Sequence, residues 1–550
     1  MIFLNPSSFL SSVFIRFSKL RTGSTILYKK EIATMQAEME GEAFSDLTTI
    51  QSFFYKRSVF ITGATGFVGK VLVEKLLRCC PGIGMLYLLM RPKRGKTADE
   101  RMDKLFNTEL FNKVREVHPH FRKKVRLVDG DLQKERLGIS EQDFDDMKEN
   151  VSVVFHSAAR VQFNDPLKVA VQHNVIATKV FLQMCHELPN LEAVVHVSTS
   201  YVHREPDNSV LEQIPKTKVS PKQILDAMEW MDEPAQQAVC DYLLEGKLTT
   251  YLVTKALGEV IVKEGRGNLP TSIVRPCNIS PTIRDPFPGW VDTIQGISGL
   301  MLAGAKGVLR TLMSVKDLKL NVVPVDFVVN AMIVSAWHIA TQRPNDVFVV
   351  NCVIDYDNLP LADEAILEQA LKRRQKFPLV NMFRYPDFTV YYSWLPYTIH
   401  SFFDEWIPAY TLDFLLYLFT GKTVLVRVYK KIGFLYGIFL RLGREPWICR
   451  LENYNTLKKS LKDKDEEIFF MDTDGIDWEI YMDDCFLGGR RFLAHEDPSN
   501  IPYAKKKAQI WWLVTTLLKW FLILMVFYYF LPRSFFNVFN SEERIHEIHS

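Results

Sequence analysis

Tyr251 and Lys255 stand four residues apart and are of the types that do acid–base chemistry. At helical spacing they share one face. An ammonium beside a phenol stabilises phenolate and lowers the phenol's pKa, so the tyrosine can exchange a proton near neutral pH. Upstream, the run Ser198-Thr199-Ser200-Tyr201 closes an apolar stretch at 191–197. A hydroxyl at such a strand end can bind the carbonyl oxygen that the tyrosine protonates. Thr199 is the expected hydroxyl, with Ser198 and Ser200 as alternatives. A tyrosine and lysine at this spacing also recur on ordinary helix faces, so the elements around them must decide.

The element that decides most is Val59-Phe60-Ile61-Thr62-Gly63-Ala64-Thr65-Gly66-Phe67-Val68-Gly69-Lys70. An apolar β-branched run ends in glycines at 63, 66 and 69, and an amphipathic helix pattern follows. A strand, a tight glycine turn and a helix start hold a pyrophosphate, because free N–H groups and the helix dipole face the anion. Gly63, Thr65, Gly66, Phe67, Val68 and Gly69 are therefore the expected cofactor cradle, although the spacing is GxxGxxG rather than GxGxxG. Arg91 follows the second strand, where an adenosine ribose is read. With Lys93 and Arg94 nearby, it accommodates a 2′-phosphate and argues for NADPH. Asp131, followed by Leu132, comes after the third strand and can contact adenine or simply form a turn. Lys255 would then also hydrogen-bond the nicotinamide ribose.

Strand patterns at 85–90, 124–128, 151–155, 191–197 and 271–274 alternate with helical ones, including a long helix at about 166–188. This predicts an α/β fold with a doubly wound parallel sheet of the Rossmann type. A loop-rich insertion of about 45 residues separates Tyr201 from the helix of Tyr251. After about residue 355 the order slackens into aromatic-rich stretches at 382–419 and 424–440. The first carries Asp404, Glu405 and Asp413, too much charge to span a bilayer, and a helical substrate-binding or membrane-apposed region is expected. The expected division is an N-terminal arm at 1–50, a nucleotide-binding domain at 51–355, a helical domain at 356–505 and a membrane anchor with a short tail at 506–550.

A net charge of +3 among 550 residues gives no reason to expect nucleic acid as a partner. Eight scattered cysteines contain no CxxC pair, which argues against a zinc site or a disulfide framework and for a reducing compartment. Residues 1–30 contain no Asp or Glu; they resemble an organelle presequence, or a leader ahead of a start at Met35 or Met39. Residues 510–531 carry Lys519 as their one charge, with Trp511, Trp512, Tyr528 and Tyr529 near the ends. As a helix this segment spans roughly 33 Å, enough for a bilayer core. A central lysine costs about 2.5–3.5 kcal/mol, so a helix lying in the interface is the alternative. Lys505-Lys506-Lys507 place the bulk of the chain on the cytosolic side.

Thr62-Gly63, Gly66-Phe67-Val68-Gly69-Lys70, the His-Val-Ser-Thr-Ser-Tyr run at 196–201 and Tyr251 with Lys255-Ala256 resemble the extended short-chain dehydrogenase/reductases. Val274-Arg275-Pro276, Asp285-Pro286-Phe287-Pro288-Gly289-Trp290, the 323–330 run Val-Pro-Val-Asp-Phe-Val-Val-Asn, Tyr429-Lys430-Lys431-Ile432 and Ile476-Asp477-Trp478 are similar to the eukaryotic fatty acyl-CoA reductases. The resemblance covers about residues 48–531. It implies reduction of a long-chain fatty acyl-CoA to a primary alcohol by NADPH through a bound aldehyde, with Thr199, Tyr251 and Lys255 as catalytic residues. It also implies a catalytic domain facing the cytosol from the endoplasmic reticulum, peroxisome or lipid droplet. The alternatives are a membrane-bound sterol-type or other extended dehydrogenase, or a reductase that stops at the aldehyde. Chain-length preference and oligomeric state stay open. Leu248-Thr249-Thr250 and His203-Arg204 depart from the family's usual pattern, which touches the substrate pocket rather than the core chemistry.

Overall fold

The computed structural model describes residues 46–530, except 93–94, 218, 245–248, 320, 360–368 and 445. Residues 1–45, Lys93, Arg94, Leu248 and residues 531–550 lie outside the described residues, so the expectations of a leader and a short tail fall there.

Seven parallel strands form the central sheet: β1 (Ser58–Thr62), β2 (Leu86–Met90), β3 (Val125–Asp129), β4 (Val151–His156), β5 (Ala193–Val197), β6 (Thr271–Pro276) and β7 (Phe348–Cys352). Their order is β7-β6-β5-β4-β1-β2-β3. The chain winds one way from β1 to β3 and the other way from β4, so the crevice lies where the order reverses, beyond the carboxyl ends of β1 and β4. Every residue of β1, β2, β4, β5 and β6 is buried, the signature of strands covered on both faces. Val59 and Ile61 point into one core and Phe60 into the other.

The first core is closed by α1 (Phe67–Cys79). The second is closed by α2, a helix in three consecutive runs, Leu167–Val171, Gln172–Ile176 and Ala177–His186, and α3 (Thr250–Gly265) contributes to it. The helix expected at 166–188 is thus present, with a π turn in its middle. Two features differ from the sequence expectation. The insertion before α3 is not mainly loop: it holds helices Pro221–Trp230 and Glu233–Leu243, started by a Ser220–Gln223 capping box and an Asp232 cap. The seventh strand, β7, was absent from the sequence reading. Its buried Asn351 interrupts the apolar run, and is tolerated because Nδ2 donates to Val210 O and Arg450 O, both at 2.9 Å.

Beyond β6 come α4 (Ile297–Ala305) and α5 (Val325–Gln342), the latter packed against α1 and the sheet. The remainder is mainly helical: α6 (Trp394–Ser401, Phe402–Trp406 and Ile407–Thr420 in succession), α7 (Leu425–Gly443), α8 (Trp478–Gly488) and α9 (Ile501–Phe530). Among the described residues, one helix, α9 with the turn before it, is long and apolar enough to cross a membrane.

Candidate active site

The glycine turn meets the steric demands of a phosphate cradle. Gly63 has φ +78°, and a Cβ there would lie 2.7 Å from Ala158 N. A Cβ on Gly69 would lie 2.2 Å from Gly63 O, so the helix start can sit this close to the strand only without a side chain. Gly66 caps α1 and its N–H bonds Gly63 O at 2.8 Å. Phe67 stacks on Trp290, with ring centroids 5.5 Å apart, and Val68 packs beside it against the first core. The first turn of α1 carries no acidic residue, which leaves its N–H groups free of a competing carboxylate.

At the end of β2, Arg91 pairs with Asp131, Nη1 to Oδ2 at 3.0 Å. Asp131 also accepts from Gln133 N at 3.2 Å. Burial would raise its carboxyl, but the Gln133 N–H and Arg91 outweigh that and hold it below the usual range. Asp131 therefore braces both the turn and Arg91. Leu132 packs, half-buried, on the second core. A residue that sequence reasoning missed joins them: Arg101 donates to the Arg91 carbonyl and, through Nη2, to Thr65 Oγ1 at 3.1 Å. Burial and the neighbouring Arg91 push the Arg101 guanidinium down. No spacing rule would have found a residue eleven positions beyond the strand.

The residues singled out first lie around the carboxyl end of β5. Lys255 Nζ donates to Val197 O at 2.6 Å, which fastens α3 to the strand two residues before Thr199. Burial lowers the Lys255 ammonium to about 8, with Glu259 opposing. Tyr251 packs its ring edge-on against Phe163, centroids 5.7 Å apart. Burial pushes its phenol up, and in the protein alone Lys255 does not offset this. The expected lowering by lysine is not present, and the Lys255 ammonium is hydrogen-bonded to the Val197 carbonyl. Thr199 is buried, and its hydroxyl accepts a long contact from Tyr201 N at 3.5 Å. Ser198 Oγ and Ser200 Oγ are buried with no hydrogen-bond partner among the described residues. Unpaired buried hydroxyls are costly, and two of them flanking Thr199 at a strand end fit a site that expects a polar ligand.

Asn174 is a second residue the sequence reading passed over. It sits in the π turn of α2, where the extra residue re-aims the side chain. Its Oδ1 accepts from Arg160 N at 2.9 Å, and Nδ2 donates to Thr254 Oγ1 at 3.1 Å. It thereby ties the loop after β4 to α3 between Tyr251 and Lys255. Underneath, Arg275 and Glu259 form a pair with no exposed side-chain surface, Nε to Oε1 at 2.9 Å and Nη2 to Oε2 at 2.6 Å. Further along, a partly open apolar cavity is lined by residues such as Val291, Met301, Leu302, Phe377, Phe486 and Leu493. All eight cysteines are free, and seven are buried.

This arrangement fits a dinucleotide across the strand-order reversal, with a hydroxyl, a phenol and an ammonium near its reactive end. Comparison with known proteins agrees. Residues 61–332 match a family described as "Male sterility protein", NAD-binding part, and residues 404–496 match its "Sterile" part. The chain is 33% identical over 465 residues to fatty acyl-CoA reductase 1 of Homo sapiens, covering 84% of this chain and 89% of that one. It is 35% identical over 464 residues to fatty acyl-CoA reductase 2 of Mus musculus, with the same coverage. Among solved structures, the reductase domain of a non-ribosomal peptide synthetase from Mycobacterium tuberculosis aligns with TM-score 0.52 at 18% identity, over 82% of this chain and 97% of that one. The terminal R domain of the myxalamid pathway aligns with TM-score 0.51 at 20% identity, over 83% and 97%. These two share the fold.

Proposed function

The chain belongs to the fatty acyl-CoA reductases, and we propose that it reduces a long-chain fatty acyl-CoA to the primary alcohol with NADPH, releasing CoA. The observation that carries this reading is the 2.6 Å bond from Lys255 to the Val197 carbonyl, which ties the tyrosine–lysine helix to the strand that ends in Thr199. Arg91 and Arg101 support the choice of NADPH over NADH, since two guanidiniums at the end of β2 suit a 2′-phosphate.

When bound, the reduced nicotinamide supplies the hydride. Thr199 donates a hydrogen bond to the thioester oxygen as negative charge develops there. Tyr251 donates a proton to the same oxygen, giving a hemithioacetal. Collapse of that species breaks the C–S bond, and the thiol of CoA leaves with the aldehyde still held. The second reduction needs a second NADPH and a proton from solvent to restore the phenol; Tyr251 then again protonates the oxygen, and the alcohol forms. Lys255 orients Tyr251 and the ribose and keeps positive charge near the phenol once its ammonium turns from Val197. No thiol needs to act as nucleophile, which accords with burial raising thiols such as Cys185 and Cys277. The apolar cavity is the proposed place for the acyl chain.

We further assign α9 as the membrane anchor, with Lys505-Lys506-Lys507 on the cytosolic side. The test is incubation of membranes carrying the full chain with palmitoyl-CoA or stearoyl-CoA and NADPH, followed by chromatography of the lipids. Fatty alcohol that disappears in Tyr251→Phe is expected. Accumulated free aldehyde, or no product from any long-chain acyl-CoA, would overturn the reading.

A further inference from the structure

In α6 the usual amphipathic order is reversed. Ile399, Phe403, Ile407, Tyr410, Phe414 and Leu418 recur every three or four residues and so form one stripe along the helix. All six are exposed, between 40% and 64%. The carboxylates of the same helix point inward. Glu405 is 5% exposed, and its Oε1 accepts from Arg310 N and Thr311 N, both at 2.8 Å. Asp413 is 3% exposed and accepts from Val424 N, Leu425 N and Val426 N at 2.8–2.9 Å, capping α7. A helix that solvates its hydrocarbon and buries its carboxylates is built for surroundings less polar than water.

The charge around the stripe is of one sign. From Phe414 to Arg444 the sequence contains no Asp or Glu, and Lys422, Arg427, Lys430 and Lys431 are exposed. We propose that the α6–α7 hairpin lies in the headgroup region of an anionic lipid bilayer, apolar stripe in the acyl boundary and cations against lipid phosphates, as a membrane contact separate from α9. A second copy of this chain is the poorer occupant. A two-fold interface would set this patch against itself, cations facing cations. The other face of α7 is committed to the protein. Ile432 and Tyr436 pack with Ile297, Leu312 and Phe486, and Tyr436 donates to Met313 O at 2.5 Å. Phe486 also lines the apolar cavity, so the hairpin adjoins it.

The test uses the full chain in phosphatidylcholine vesicles with or without phosphatidylserine. A solvent-sensitive fluorophore is attached at Leu418→Cys, and at Tyr242→Cys as a reference that is exposed on the Glu233–Leu243 helix. With phosphatidylserine, lipid-borne nitroxide near the headgroups should quench the 418 label about two-fold or more beyond the 242 label. Changing Lys422, Arg427, Lys430 and Lys431 together to Gln should remove the dependence on phosphatidylserine. Equal quenching at 418 and 242 in vesicles that carry the protein would overturn the proposal and leave the anchor reading untouched. A 418 label shielded from both lipid and aqueous quenchers would overturn it in favour of a protein occupant. Alcohol formation is measured separately, so failure of the reductase reading shows in a different readout.

Discussion

Glu259→Gln tests what holds the helix of Tyr251 and Lys255 in place. Glu259 lies one turn beyond Lys255 on α3, and Arg275 lies on β6. Arg275 also donates to Leu211 O at 2.7 Å and to Gln213 O at 2.8 Å, so one guanidinium joins the helix, the sheet and the insertion. His203 Nε2 sits 3.2 Å from Glu259 Oε2. Burial alone would raise the Glu259 carboxyl, but Arg275 and His203 outweigh it and hold the carboxyl well below the usual range. Glutamine keeps the shape and part of the hydrogen bonding while leaving the Arg275 charge buried without its counter-charge. Removing one partner of such a pair costs about 3–5 kcal/mol, a large share of a stability of about 5–15 kcal/mol. Arg275 keeps its two carbonyl acceptors, so the low end of that range is expected. In Glu259→Leu with Arg275→Met, no lone charge remains. The double variant should therefore be more stable than the sum of the singles by about 2–3 kcal/mol, despite the carbonyls left unpaired. The measurement is urea unfolding of the detergent-solubilised full chain by tryptophan fluorescence, compared at constant m. A single-variant cost under about 1 kcal/mol, or strict additivity, would refute the reasoning. Because the folded carboxyl titrates low, its contribution is present above about pH 4.3 and is lost as pH falls through the folded value; Glu259→Gln should remove that acid sensitivity.

Gly69→Ala puts a methyl group where Gly63 O leaves no room, and should weaken NADPH binding by about ten-fold or more, read by nicotinamide fluorescence; unchanged affinity would show that the turn is not the cradle. Arg91→Ala and Arg101→Ala should each raise the KM for NADPH about ten-fold more than that for NADH, and equal effects would remove the case for a 2′-phosphate site. Since burial brings the Lys255 ammonium to about 8, kcat/KM should fall as pH rises through that value; a plateau persisting to pH 10 would show that its charge is not required. Tyr251→Phe should lower turnover by about 10²–10⁴-fold with the urea midpoint little changed.

The glycine turn, the strand ends and the tyrosine–lysine pair were legible in the chain because each obeys a local rule. Backbone sterics demand glycine where φ is positive or a helix presses on a strand. Burial on both faces demands continuous apolar strands. A helix turn brings residues four apart together. The apolar character of 510–531 is likewise a matter of local composition. Arg101, Asn174 and the seventh strand obey no such rule. Arg101 matters because a separate helix carries it back to Thr65, Asn174 because a π turn aims it at Thr254, and β7 because its buried asparagine finds acceptors from two distant segments. The direction of the α6 stripe is of the same kind. Sequence shows that apolar and acidic residues share the helix, but which face meets solvent depends on Arg310, Thr311 and the start of α7 taking the carboxylates. Sequence alone settled what short stretches of backbone and side chain must do wherever they sit. Tertiary structure decided which distant groups meet, because that depends on burial and partners supplied by other parts of the chain.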